Sequence, residues 1–124
     1  LLEHFPEPEG VLAEMVRILK PGGTFYADVV PRKFSVYRVR EYPRMRRTEW
    51  FLPGVSESAH GPERYAGALA RLGCASVRTR WAGLYPPRAW PGLARLTGGL
   101  DGTPIAAALG WYFMIAARRG GAPA

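Results

Sequence analysis

Cysteine is nearly missing from this sequence: Cys74 stands alone among 124 residues. A single thiol excludes an internal disulfide and a thiolate metal cluster, and fits a reducing compartment. Long apolar runs are missing too. The longest, "IAAALGWYFMIAA" at 105–117, is interrupted by Gly110 and falls short of the roughly 20 residues that a spanning helix needs. No basic and apolar leader is visible, so the expectation is a soluble, cytoplasmic chain. Acidic residues are under-represented, 10 against 17 Lys and Arg, which leaves a formal charge of +7. That balance suits anionic partners as a class without naming one. Neither a nucleophile elbow nor a Ser-His-Asp or Cys-His arrangement occurs, and no internal repeat divides the chain. What is present reads as one domain.

The segment "EHFPEPEG" carries too many prolines and glutamates to continue a strand. Pro8 suits a first helical turn, and Glu7 and Glu9 complement a helix N-terminus. Val11, Leu12, Met15, Val16 and Leu19 then share one apolar helical face. Pro21 ends that helix, and Gly22 or Gly23 supplies a left-handed cap. "TFYADVV" at 24–30 reads as a strand covered on both faces apart from Asp28, which belongs either to a polar site or to an exposed position.

Residues 31–60 show no sustained period and exceed an ordinary loop, as lids and binding segments do. A second helix follows in "GPERYAGALARLG", with Tyr65, Leu69 and Leu72 on one face and Gly73 as its stop. In "ASVRTRWAGLY", 75–85, Val77, Thr79 and Trp81 alternate with Arg78 and Arg80, the pattern of a half-buried strand. Residues 86–102 read as a punctuated loop with one short helix, in which Trp90, Leu93 and Leu96 share a face that caps the sheet or else touches a membrane or lipid acceptor. "GWYFMIAARR", 110–119, closes the chain as a strand, and 120–124 read as a disordered tail.

Taken in order, Leu2-Glu3-His4, Glu7-Pro8-Glu9, Arg17-Ile18-Leu19-Lys20-Pro21-Gly22-Gly23 and the apolar run to Pro31 resemble the C-terminal half of a class I S-adenosylmethionine-dependent methyltransferase. "ERYAGALARLGCASVRTR" and "WYFMIAARR" resemble that family's penultimate helix, sixth strand and seventh strand. The resemblance implies an α/β, Rossmann-like sandwich comprising strands four to seven, the last running antiparallel between the fifth and sixth. Residues 1–119 would be half a domain, with 31–60 as a lid-like insertion. The glycine-rich cofactor loop and the acidic residue of strand two belong to the family's other half. On that reading the chain is a fragment, inactive and marginal alone, poor at binding S-adenosylmethionine, and completed by the missing N-terminal half.

By the same resemblance Leu2 and Glu3 would bind the cofactor, and His4 would be the general base or else only hydrogen-bond a neighbouring loop. A Glu-x-x-Glu-His metal pattern known in some relatives would need a glutamate before Leu1, so no metal is expected. Lys20-Pro21-Gly22-Gly23 follows a helix, whereas phosphate cradles precede one, so this turn is structural. The basic stretch 32–47 holds seven Lys or Arg and one Glu. It reads as a solvated loop, as a lid whose Phe34, Tyr37, Trp50 and Phe51 line a hydrophobic acceptor pocket, or as a cationic arm. The expected activity is methyl transfer to a small-molecule acceptor. The rival is a non-enzymatic basic module contacting nucleic acid or anionic lipid.

Overall fold

The computed structural model describes residues 1–46, 53–84 and 91–121. Trp50, Phe51 and Trp90 of the sequence reading lie outside these residues, as do 122–124. Four helices and three strands follow in the order α1 (Glu9–Ile18), β1 (Thr24–Val29), α2 (Pro62–Arg71), β2 (Cys74–Ala82), α3 (Pro91–Gly98), α4 (Pro104–Leu109) and β3 (Tyr112–Arg119). The strands form one antiparallel sheet, ordered β1-β3-β2. The last strand therefore lies between the other two and opposite to both, as the resemblance implies.

Alternation along the strands decides where the core sits. Phe25, Ala27 and Val29 lie opposite Ala117, Ile115 and Phe113, on the face against which α1 and α2 pack. Leu12 and Val16 from α1 and Tyr65, Ala68 and Leu69 from α2 join them in one buried cluster. The helical face expected from the spacing of residues 11–19 is the one observed. Arg64 of α2 grips the Glu9 carboxylate of α1 through two hydrogen bonds of 2.9 and 3.1 Å, and these hold the Glu9 pKa below its usual value. Phe113 lies at the centre of the core, fully buried, with Trp81 edge-on at 4.9 Å and Tyr65 at 5.6 Å.

Several expectations need correcting. Residues Leu2–His4 form a 3₁₀ turn, not the end of a strand, its bonds running from His4 N–H to Leu1 O and from Phe5 N–H to Leu2 O. Strand β1 is covered on one face only. Thr24, Tyr26 and Asp28 are exposed, and the Tyr26 hydroxyl donates to Asp28 along the same strand at 2.8 Å. Both α1 and α2 feed the same core, which leaves that second face to solvent in the described residues. The first helix ends at Ile18, with Leu19 already extended, one residue ahead of Lys20, which Pro21 keeps out of the helical region. Arg119, from the end of β3, donates to the carbonyls of Arg17 and Leu19 and so does the capping. Gly22, at φ +74°, serves the tight turn, with its N–H bonded to Arg119 O at 3.1 Å.

Three features further along also depart from expectation. In β2, Val77 and Trp81 pack on the core but Thr79 is exposed. Four residues there, 75 to 78, lie opposite three of β3, 116 to 118. The extra residue is a bulge at Ser76, which adopts φ +53°. Leu93 and Leu96 of α3, expected in a cap over the sheet, are exposed. Gly120, expected in the tail, donates to Gly73 O at 3.1 Å.

Burial raises the Tyr65 pKa above its ordinary value of 10.0, and this has a consequence for folding. Above pH 10 the unfolded chain loses the phenolic proton while the folded chain keeps it. The associated stability is complete below that pH and lost as pH rises through the folded value. Denaturant melts between pH 9 and 12 are expected to show falling stability, with a smaller fall in Tyr65→Phe. Equal slopes for the two proteins would contradict it.

Candidate functional site

The turn at Leu2–His4 is pinned by a crossing segment. Ser58 N–H donates to Glu3 O at 2.6 Å, and Arg32 N–H donates to Ser58 O at 2.7 Å. Residues 56–58 thus lie between the turn and the chain leaving β1. The His4 ring joins the same segment, its Nδ1 standing 2.9 Å from Ser56 O. A carbonyl can only accept, so Nδ1 carries the proton. In the neutral ring Nε2 is then the acceptor, 3.5 Å from Glu3 Oε1.

A cleft of about 650 Å³ opens beside this turn, within the usual size for a small-molecule site. It is lined by Glu3 and His4, by Val30 just beyond β1, by Tyr37, Arg38, Glu41 and Arg44, and by Glu57. Its place beyond the last residue of β1 is the carboxyl edge of a strand, where open α/β sheets bind ligands. The Tyr37 hydroxyl donates to Leu84 O at 2.6 Å, fixing the ring. Arg38 holds Glu57 through two bonds of 3.2 and 3.1 Å. The Glu3 side chain is 9% exposed. Its Oε2 and the Oε2 of Glu41 are both buried with no hydrogen-bond partner among the described residues.

The residues singled out from sequence divide accordingly. Glu3, His4 and Tyr37 come together in the cleft. Leu2 is 2% exposed and belongs to the core, presenting only its carbonyl to the Tyr65 hydroxyl at 3.5 Å. Phe34 stacks edge-on against Tyr42 at 5.2 Å and lines a separate hollow with Arg32, Met45 and Arg46. Cys74 is buried, and burial pushes its thiol pKa up, so it is no nucleophile. Glu41, Arg38 and Glu57 were not singled out. Glu41 did carry a signal, as the lone acid among the seven cations of 32–47. Glu57 comes from residues distant in sequence, and no local pattern marks it.

Much of the basic stretch is spent inside the molecule. Arg32 donates to the carbonyls of Glu57, Met45 and Arg46. Lys33 Nζ donates to Ala107, Ala108 and Gly110 O at 2.8, 3.1 and 3.0 Å, closing the C-terminal end of α4. The same ammonium lies 4.6 Å from the centre of the Trp81 ring. Burial pulls the Lys33 pKa down, while three carbonyls and the ring favour the charged form. These contacts tie down the chain on either side of the cleft-lining residues and leave fewer cations for a nucleic acid or a lipid surface. No helix among the described residues is long and apolar enough to cross a membrane.

Residues 1–27 match the family model of a methyltransferase domain. The matched stretch runs from Glu3 and His4 through α1 and the Lys-Pro-Gly-Gly turn into β1. It bears out the resemblance to a class I methyltransferase domain that those residues carry. No curated protein matches the chain. The matched stretch contributes Glu3 and His4 to the cleft, and residues beyond it contribute the remaining wall.

Proposed function

We propose that the chain is the C-terminal half of an S-adenosylmethionine-dependent methyltransferase domain, its β1, β2 and β3 standing for the fold's fifth, sixth and seventh strands, and that the cleft beside Leu2–His4 receives a small-molecule acceptor. The observation that carries this reading is that Glu3 and His4 lie both in the matched methyltransferase stretch and in the lining of the cleft. S-adenosylmethionine would supply an electrophilic methyl group on a sulfonium sulfur. The described residues fit one edge of such a donor and not its whole length. Glu3 offers a buried acceptor, but the glycine pair in the matched stretch is already committed, with Gly22 N–H on Arg119 O and Gly23 N–H on Lys20 O. The cradle for the rest of the donor belongs to the other half of the domain.

The chain's own residues have three tasks. Ser56 O fixes the His4 ring with Nδ1 protonated, so Nε2 can take the proton that an acceptor O–H or N–H releases as its new bond to carbon forms. Glu3 Oε1, 3.5 Å from that nitrogen, stabilises the resulting imidazolium. Tyr37, held by Leu84 O, and Val30 position the acceptor, and alignment itself lowers the barrier.

Transfer of labelled methyl from S-adenosylmethionine to an amine or alcohol acceptor is expected from the natural polypeptide that carries this chain. In that protein His4→Ala is expected to lower kcat about 10²–10⁴-fold with KM little changed. An unchanged kcat would remove His4 as the base. Absence of any transfer across a broad acceptor panel would remove the methyltransferase reading.

A further inference from the structure

We infer that the face formed by residues 34–46, α3 and α4 docks on an anionic phospholipid membrane. The exposed surface carries this, independently of the function proposed above.

Topology gathers these segments. Val29, the last residue of β1, lies opposite Phe113, and Ala82, the last of β2, lies opposite Tyr112. The chain leaving β1 and the chain between β2 and β3 therefore emerge at one end of the sheet. Val36 N–H joins the two by donating to Leu109 O at 3.1 Å, beside the Lys33 bonds that close α4.

Apolar side chains stand out at that end. Of the twelve large apolar side chains exposed among the described residues, nine belong to these two segments. Phe34, Val36, Val39 and Tyr42 come from the first. Leu93, Leu96, Leu100, Ile105 and Leu109 come from the second. Helix α3 is the extreme case: none of its described side chains is buried, and Leu96 is 76% exposed. Leu93 and Leu96 share one side of α3, as Ile105 and Leu109 share one side of α4. Apolar surface concentrated in this way marks an interaction site.

Charge decides what covers it. Arg32, Lys33 and Arg38 are spent inside the molecule. The cations that stay exposed in these segments are Arg40, Arg44, Arg46 and Arg95. Neither segment exposes an acid among the described residues, since Glu41 and Asp101 are half-buried. The exposed acids Glu7, Glu14, Asp28 and Glu63 all belong to other parts of the chain. Apolar side chains mixed with arginines, and no exposed carboxylate, complement phosphate headgroups over hydrocarbon. A nucleic acid would use the arginines and leave the leucines in water. A second copy would cover the leucines but set arginines against arginines. Arg44 also lines the cleft, so a membrane seated here borders it.

The test is flotation of the natural polypeptide that carries this chain with two kinds of vesicle. One is phosphatidylcholine alone, the other phosphatidylcholine and phosphatidylserine in equal parts. Binding to the mixed vesicles is expected to be at least about tenfold tighter, since each arginine near an anionic surface contributes about fivefold. Arg40→Gln is expected to weaken that binding about fivefold, and Leu96→Ser about tenfold or more. Two matched variants outside the face, Lys20→Gln and Ile18→Ser, the latter at a residue 71% exposed, should leave it unchanged. All four side chains are exposed, and circular dichroism checks that each variant folds. Absence of binding to the mixed vesicles, or equal binding to both kinds, would overturn the inference. So would losses no larger in Arg40→Gln and Leu96→Ser than in the two matched variants. Binding of single-stranded DNA in place of vesicles would assign the arginines to nucleic acid. A dimer broken by Leu96→Ser, without vesicle binding, would assign the face to a second copy. Either result overturns the membrane.

Discussion

Truncating Phe113 to alanine is expected to cost about 3–5 kcal/mol of folding stability. The ring is fully buried on the central strand of the sheet. It meets Trp81 of β2 and Tyr65 of α2, and it lies opposite Val29 of β1. The hole left behind would border several elements at once, so no single side chain can swing in to fill it. Small domains hold about 5–15 kcal/mol in total, and the variant should therefore unfold at much lower urea. Phe113→Leu, which keeps most of the volume, should lose under about 1.5 kcal/mol. Urea melts of the three proteins give the answer. A loss below about 1 kcal/mol in the alanine variant would mean that this ring is not the centre of the core.

The second large effect is expected at Lys33, and it reaches from stability to the cleft. Lys33→Met keeps the aliphatic stem over Trp81 but removes the donor shared by the Ala107, Ala108 and Gly110 carbonyls. Hydrogen bonds to a charged group are worth about 1.5–3 kcal/mol net, and the loss should fall in that range. Because Lys33 ties the chain leaving β1 to α4, the residues after it should loosen as well. Tyr37, Arg38, Glu41 and Arg44 all lie there and line the cleft. Faster amide exchange across 33–46, together with a lower melting temperature, is the expected pair of readings. A lower melting temperature with exchange in 33–46 unchanged would show that Lys33 stabilises α4 alone.

The parts of the fold that could be read in advance are those with a local cause. The apolar face of α1 follows from spacing, the ends of α2 from Pro62 and Gly73, and the strands from their β-branched and aromatic runs. The order β1-β3-β2 could be expected only through the resemblance, since no local pattern specifies which strands become neighbours. Helix α4 was not legible. Its alanines run into the following strand as one apolar stretch, and only Thr103, whose hydroxyl accepts from Ala106 N–H, marks a start. Gly110 follows it, where a Cβ would collide with the carbonyl oxygen of Ala106 in the preceding turn and with that of Ala82, which lies far away in sequence. The arginine cap on α1 was equally hidden, since Arg119 lies a hundred residues from the carbonyls it serves. In the cleft, Glu3 and His4 came from a pattern. Glu41 and Glu57 came from a fold-back of the 31–58 segment that has no period to betray it.

The central place of β3 also bears on how the chain is made. Thr24 of β1 pairs with Arg118, and Ala82 of β2 pairs with Tyr112, so neither outer strand touches its partner until residues 112–119 arrive. A ribosome adding about 5–20 residues per second would expose both strands, each with unsatisfied ladder groups, through the synthesis of everything between. The helices α1 and α2 can dock against each other in that interval, but the two ladders that β3 makes cannot begin. The joining of β1 to β2 is a single late event, set by the emergence of residues 112–119 from the exit tunnel.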